Sequence, residues 1–263
     1  MPSTADAVAL AQIVGDLSTL LVRDVVELFR RYGSDPDFAA ILLAAFPGVV
    51  GPYLQASALT SAQMYDEMAP ALAFKATPVP ELPADRLAGS VKWSLFAPGG
   101  ATPVERLSGA AQRMVFDVSR QTMLTNLAVE YDVPIEEVSS PGTRWARHAS
   151  ANACGFCRVM ATRGAVYRSS ARAAKKAGKQ VGGKKTGSLR GQRKYSDKFH
   201  DNCHCIAVPV RPGDSYEPPA YVEQWEQDYI DAVKAAQAAG RTKGEYGAID
   251  LKAVVAEMDK AAK

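Results

Sequence analysis

All four cysteines and all three histidines of this 263-residue chain lie between positions 148 and 205. Cys154-Gly155-Phe156-Cys157 is a CxxC; 45 residues separate it from Cys203-His204-Cys205, which His200 precedes in the arrangement H-x-x-C-x-C. Zinc takes four tetrahedral nitrogen or sulfur ligands, with thiolate sulfur at about 2.3 Å. A shared ion would pin two distant segments side by side. A CxxC turn offers two sulfurs from one tight loop, and Gly155 suits it because glycine adopts a positive φ readily.

Other uses of four cysteines fit less well. The N-terminus shows no basic stretch followed by an apolar one, so no secretory signal is expected, and two disulfides would suit a secreted chain better. A thioredoxin-like redox CxxC would need no second cluster and would sit among more sheet signals. The expected site is therefore structural, one zinc per chain, held by Cys154, Cys157, Cys203 and Cys205. His200 is the alternative to one member of the C-x-C pair. His148 and His204 are expected on the surface or behind the ligands. Four good ligands leave no open position for a catalytic water.

Charge divides the chain into three. Residues 1–143 carry a net −7, residues 144–212 a net +14, and residues 213–263 a net −4, which together give the overall +3. The middle segment concentrates Arg172, Lys175, Lys176, Lys179, Lys184, Lys185, Arg190, Arg193 and Lys194 between glycines. Clustered Lys and Arg contact phosphates by releasing condensed counterions. Only Tyr167 and Tyr195 are interleaved, so base stacking gains little support. Non-specific DNA contact and contact with an acidic protein surface both remain open on charge alone.

Before position 144 the pattern is helical. Ser3-Thr4-Ala5-Asp6 has the form of a helix start, followed by Leu10, Val14, Leu17 and Leu21 on one face, with Gly33 as the stop. Asp35-Pro36 predicts an N-cap and first turn. From Phe38 to Tyr65 there is no charged residue; Pro47 and Pro52 predict a buried pair of helices broken at the prolines, rather than a membrane span. Pro78 to Pro83 is a break. Two more helices are expected near 84–96 and 103–131, the second with Val104, Leu107, Ala111, Val115, Val118, Met123, Leu127 and Val129 on its core stripe. Residues 206–210 read as a short strand. Tyr221, Val222, Trp225, Tyr229, Ile230 and Val233 mark a further helix. Ile249, Leu251, Val254, Val255 and Met258 mark a last one beyond Gly240, Gly244 and Gly247. The expected fold is mainly α with an embedded small α+β zinc-binding module and C-terminal helices. Its expected divisions are a docking domain at 1–143, a basic zinc module at 144–212 and a helical tail at 213–263.

The stretch RWARHASANACGFCRVMATRGAVYRS, with KFHDNCHCIAVPV further on, resembles the Mu F-like minor head proteins of tailed phages, in the form found in actinobacteriophages. The specific likeness spans about 70 residues: the CxxC at Cys154 and Cys157, the strand-turn ATRGAVY at 161–167, and His200, Cys203 and Cys205 ahead of a strand. The resemblance implies a non-enzymatic minor capsid or head-morphogenesis protein of the virion, assembled in the bacterial cytoplasm. It further implies partnership with the portal and other head proteins near the capsid interior, in several copies and with no membrane. The basic insert at 172–194 departs from the family pattern. Two other readings use the same residues: a zinc-stabilised nuclease of the His-metal type with His200 or His204 as base, and a zinc-stabilised DNA-binding protein. The first lacks a second Asn/His set beside Asp197 and Asp201, and the second lacks a recognition helix.

Overall fold

A computed structural model of the chain describes residues 4–71, 73–135, 142–167, 204–243 and 248–261. The fold is mainly helical, with seven helices and two small two-stranded sheets among those residues. Helix α1 runs Thr4–Tyr32, α2 Phe38–Glu67, α3 Ala84–Phe96 and α4 Pro103–Glu130. Strand β1 (Arg144–His148) is followed by the short α5 (Gly155–Ala161) and β2 (Ile206–Val210). Helix α6 (Tyr221–Ala238), the two-residue strands β3 (Thr242–Lys243) and β4 (Ala248–Ile249), and α7 (Leu251–Ala261) complete the order.

Helix α4 is the axis of the fold. Thr102 and Glu105 close a reciprocal capping box at its start, with Pro103 at the first turn, where a missing N–H costs nothing. Every residue from Met114 to Arg120 is buried, because α1, α2, α3 and β2 all pack on this helix. Leu107, Ala111, Val115, Val118, Met123 and Leu127 are in the core as expected, whereas Val129 is exposed. Ser57 donates to the Val115 carbonyl at 2.8 Å and Ser61 to Ser119 at 2.7 Å. These small side chains bring the α2 and α4 backbones close, and the buried Ser57 and Ser61 hydroxyls are both hydrogen-bonded there.

Two expectations for the N-terminal half are corrected. Helix α2 begins at Phe38, because Asp35 turns its carboxylate onto the Asp37 amide at 2.8 Å and closes a turn there. The charge-free stretch is one continuous helix rather than a broken pair. Pro47 and Pro52 both point to solvent, where a helix that curves around a core opens its outer hydrogen bonds. On the inner side Leu42, Phe46, Val50, Leu54 and Ala58 continue unbroken through both prolines, and their burial outweighs two lost donors. By length and composition alone α1 and α2 could each cross a membrane; each buries one face in the helical core.

Strands β1 and β2 pair antiparallel, with Arg147 opposite Ala207 and His148 opposite Ile206. Tyr167 extends this ribbon by exchanging backbone hydrogen bonds with Trp145. The expected strand at 206–210 is thus present and fully buried. The apolar core is continuous from α1 through α4 into β1, α5, β2, α6 and α7. The C-terminal helices pack on each other, and α7 also packs on α5. Ile230 and Ile249 lie outside that packing and are exposed.

Candidate metal centre

The CxxC is a helix start, not a glycine turn. Cys154 occupies the N-cap of α5 with extended backbone, and Cys157 lies in its first turn. Gly155 is not among the positive-φ residues, which corrects the role expected for it. Its requirement is space: a Cβ there would lie 2.8 Å from both the Val255 carbonyl and the Asp259 carboxylate of α7. The Gly155 amide donates to Asp259 Oδ1 at 2.6 Å, so a carboxylate from α7 satisfies one of the unpaired donors at the N-terminus of α5.

Cys157 is 1% exposed and Cys205, the residue before β2, is 2% exposed; Cys154 is half-buried. No disulfide involves these three. Cys203, His200 and the whole basic insert, including Arg172 through Lys194, lie outside the described residues. Among the described residues no three of His, Cys, Asp or Glu are gathered as a metal would need. What the described part supplies is one wall of the cysteine module, with Cys157 and Cys205 both buried. Strand alternation puts Arg147 and Ala207 on one face of the ribbon, and continuing it by one step puts Cys205 there too. Arg147 is 2% exposed. Its Nη1 donates to Cys157 Sγ at 3.4 Å, and its guanidinium lies 5.6 Å from the Phe156 ring centre. Tyr221 donates to the Ala149 carbonyl at 2.7 Å. Burial raises its phenol above the ordinary value, and the nearby Cys205 sulfur adds to the effect. Buried sulfur with an N–H donor on it fits the donor chemistry of zinc.

A second set of buried charges fixes the other end of this wall. Arg120 donates through Nε and Nη2 to the Cys205 carbonyl at 2.9 and 2.5 Å, and through Nη1 to Asp117 Oδ1 at 2.9 Å. Arg86 from α3 also bonds Asp117. Burial pushes the Asp117 carboxyl up, against the opposing pull of Arg120 and Arg86. Just beyond β2, Arg211 makes a two-pronged pair with Glu130 at 3.0 and 2.8 Å, and Tyr65 donates to the same carboxylate at 2.5 Å. Both ends of β2 are therefore tied to α4 by arginine.

Of the two places expected for the histidines, the surface or behind the ligands, the first is excluded for His148. His148 is 2% exposed rather than on the surface. Its Nδ1 sits 3.1 Å from the Tyr216 hydroxyl, and burial lowers its pKa to about 4. His204 is half-buried and stacks flat on Phe116 with ring centres 5.0 Å apart. Residues 1–232 match the family described as VG15 protein. The chain belongs to that family. This is a viral family, and the chain is a phage protein. No curated protein matches it, and no solved structure does. The VG15 match spans the helical core, the CxxC, the H-x-x-C-x-C and β2, and ends within α6.

Sequence reading did not single out Arg147, Asp117, Arg120 or Asp259. A usable signal existed for two of them: Asp117 and Arg120 form an i, i+3 pair of opposite charge inside an apolar helical run. Arg147 looks like one more basic residue in a basic segment, and only the strand pairing shows that it is buried.

Proposed function

We propose that this protein is a minor head component of a tailed phage, of the Mu F-like kind, acting as a structural part of the virion without enzymatic activity. The observation that carries the reading is that a phage family match runs through both the helical core and the cysteine module, so one family covers the two together. The module would be held by one structural zinc on Cys154, Cys157, Cys203 and Cys205, with His200 as the alternative ligand. The portal and neighbouring head proteins are its partners, in several copies near the capsid interior. The uncharged outer side of α2 offers a docking face that demands no desolvation of charge. The basic insert would meet packaged DNA without reading sequence, because glycine-spaced Lys and Arg offer phosphates charge and bases no fixed geometry.

Of the two histidines that the nuclease reading would use as base, His200 lies outside the described residues, and His204 is half-buried and stacked on Phe116. The decisive test has two parts. Elemental analysis of protein purified without added metal should give about one zinc per chain, and the protein should co-sediment with assembled heads or co-purify with portal. Absence from purified heads, or cleavage of DNA by the pure protein with Mg²⁺ or Mn²⁺, would overturn the structural role.

A further inference from the structure

We infer that this protein associates with itself head to tail, the Trp93–Phe96 edge of α3 in one copy filling the groove between α1 and α2 of the next. Anchor and groove are both open in the same structure. Trp93 is 47% exposed and Phe96 73%, the highest value among the large apolar side chains of the described residues. They sit three residues apart at the end of α3, on one side of the helix. Asp85, Gly89, Lys92 and Phe96 recur at intervals of four, three and four residues and are all exposed, so they form one outward stripe with Trp93 beside it. Val91 and Ser94, on the opposite side, are buried. Exposed aromatics at helical spacing are what a helix needs to seat in a partner's groove. The receiving groove holds about 440 Å³, a size that takes aromatic rings. Leu28 and Tyr32 of α1 and Val49, Pro52 and Tyr53 of α2 supply its apolar and aromatic walls, and Gly48 leaves one side bare. A Cβ at Gly48 would meet nothing within 4 Å. The chain's own packing therefore does not call for glycine there, although glycine weakens a helix interior. An incoming ring does.

Charge selects the occupant and its direction. Asp24 and Arg31, both lining the groove, are seven residues apart on α1. Asp85 and Lys92, both on the anchor stripe, are seven residues apart on α3. Each interval is about 10 Å at 1.5 Å per residue. With α3 antiparallel to the neighbour's α1, Asp85 meets Arg31 and Lys92 meets Asp24; the parallel arrangement would set like charges together. Glu27 is already held by Arg30 at 2.6 Å. Asp24 accepts from Tyr53 at 2.5 Å and pairs with its neighbour Arg23 at 3.2 Å, yet its side chain is 37% exposed and has acceptor sites to spare. Rim pairs of this kind select partner and register more than they add affinity. A foreign helix would need the same charges and aromatics at the same spacing, whereas a second copy of this chain carries them. An anchor and a groove on different parts of one surface make a heterologous contact, which closes into a ring or extends into a chain.

The test is sedimentation of the full chain over a concentration series. Wild type should gain mass as concentration rises. Trp93→Ala/Phe96→Ala, which lacks the anchor, and Gly48→Leu, which fills the groove, should each weaken self-association by about 30-fold or more. Mixed together, the two should form a one-to-one dimer and stop there, because the first still has a groove and the second still has an anchor. If Gly48→Leu disturbs α2, a charge exchange decides instead: Arg31→Asp should weaken association and adding Asp85→Arg should restore it. Wild type that stays monomeric at every concentration overturns the inference, even if it co-purifies with portal or binds phosphatidylglycerol vesicles through the same aromatics. Variants that keep wild-type association, or that fold and yet do not complement each other, overturn it as well. None of these results bears on the zinc or the head role, which are read separately from metal content and co-sedimentation with heads.

Discussion

Replacing Arg120 with methionine tests whether the ion cluster in α4 anchors the strand that leads out of the cysteine cluster. Methionine keeps most of the aliphatic stem and fits a packed interior, so the change removes charge and hydrogen bonds more than volume. Arg120 has no exposed side chain, and neither has Asp117. Breaking a buried pair by removing one partner costs about 3–5 kcal/mol, because the remaining charge is left in the core. Arg86 still bonds Asp117 in the variant, which places that part of the loss near the lower end. The Cys205 carbonyl also loses two guanidinium donors, and a buried acceptor deprived of its partners adds about 1–3 kcal/mol. The two losses share one side chain and do not simply add. A destabilisation of about 4 kcal/mol is expected, a large part of the ~5–15 kcal/mol typical of a folded domain. Urea denaturation should show a lower midpoint at unchanged slope. Hydrogen exchange should show the greatest loss of protection at Ile206–Val210. The double variant Asp117→Asn/Arg120→Met should recover part of the loss, since no carboxylate then remains charged and underpaired. A single-variant loss below about 1 kcal/mol would refute the anchoring argument, because it would mean that the cluster is solvated or readily rearranged.

Gly155→Ala should destabilise the contact of α5 with α7 by about 1–3 kcal/mol through overpacking, since the new methyl meets a backbone carbonyl that cannot rotate away; hydrogen exchange in both helices would check this. His148 has a folded pKa near 4 against an ordinary 6.5, so the unfolded chain binds its proton first and stability falls as pH drops from about 6.5 toward 4. The full effect is about 3 kcal/mol from about 1.4 kcal/mol per pH unit, and His148→Gln should flatten that stretch of a stability-versus-pH curve. Tyr65→Phe removes a donor from the part-buried Glu130–Arg211 pair and should cost about 1.5 kcal/mol by thermal or chemical denaturation. Replacing Lys175, Lys176, Lys184 and Lys185 with Gln should reduce the salt dependence of DNA binding, where each phosphate contact contributes about 0.9 to the slope of log affinity on log salt. A gel-shift series at two salt concentrations reads that slope, and a wild type that shifts no DNA at low salt would remove DNA as the partner.

Much of the architecture follows from local pattern. The 3.6-residue stripes of Leu10, Val14 and Leu21, and of Leu107, Ala111 and Val115, identify helices because an amphipathic face must find a core wherever the chain places it. The confinement of every cysteine to one segment likewise marks the candidate site without any coordinates. What the pattern could not settle was anything set by a distant neighbour. Pro47 and Pro52 are breakers by local rule, yet α2 runs through them because both face solvent while Phe46 and Val50 face the core. Gly155 looks like a turn residue and is instead the point where α7 approaches α5. Arg147 and His148 look like surface groups in a basic stretch, and pairing with β2 buries both. Asp117 and Arg120 read as an ordinary i, i+3 pair, but the arrival of Cys205 from 85 residues away makes them an anchor. Periodicity records which side of an element is apolar. Which elements meet there, and therefore which charges are buried and which backbone groups they serve, is a property of the tertiary packing alone.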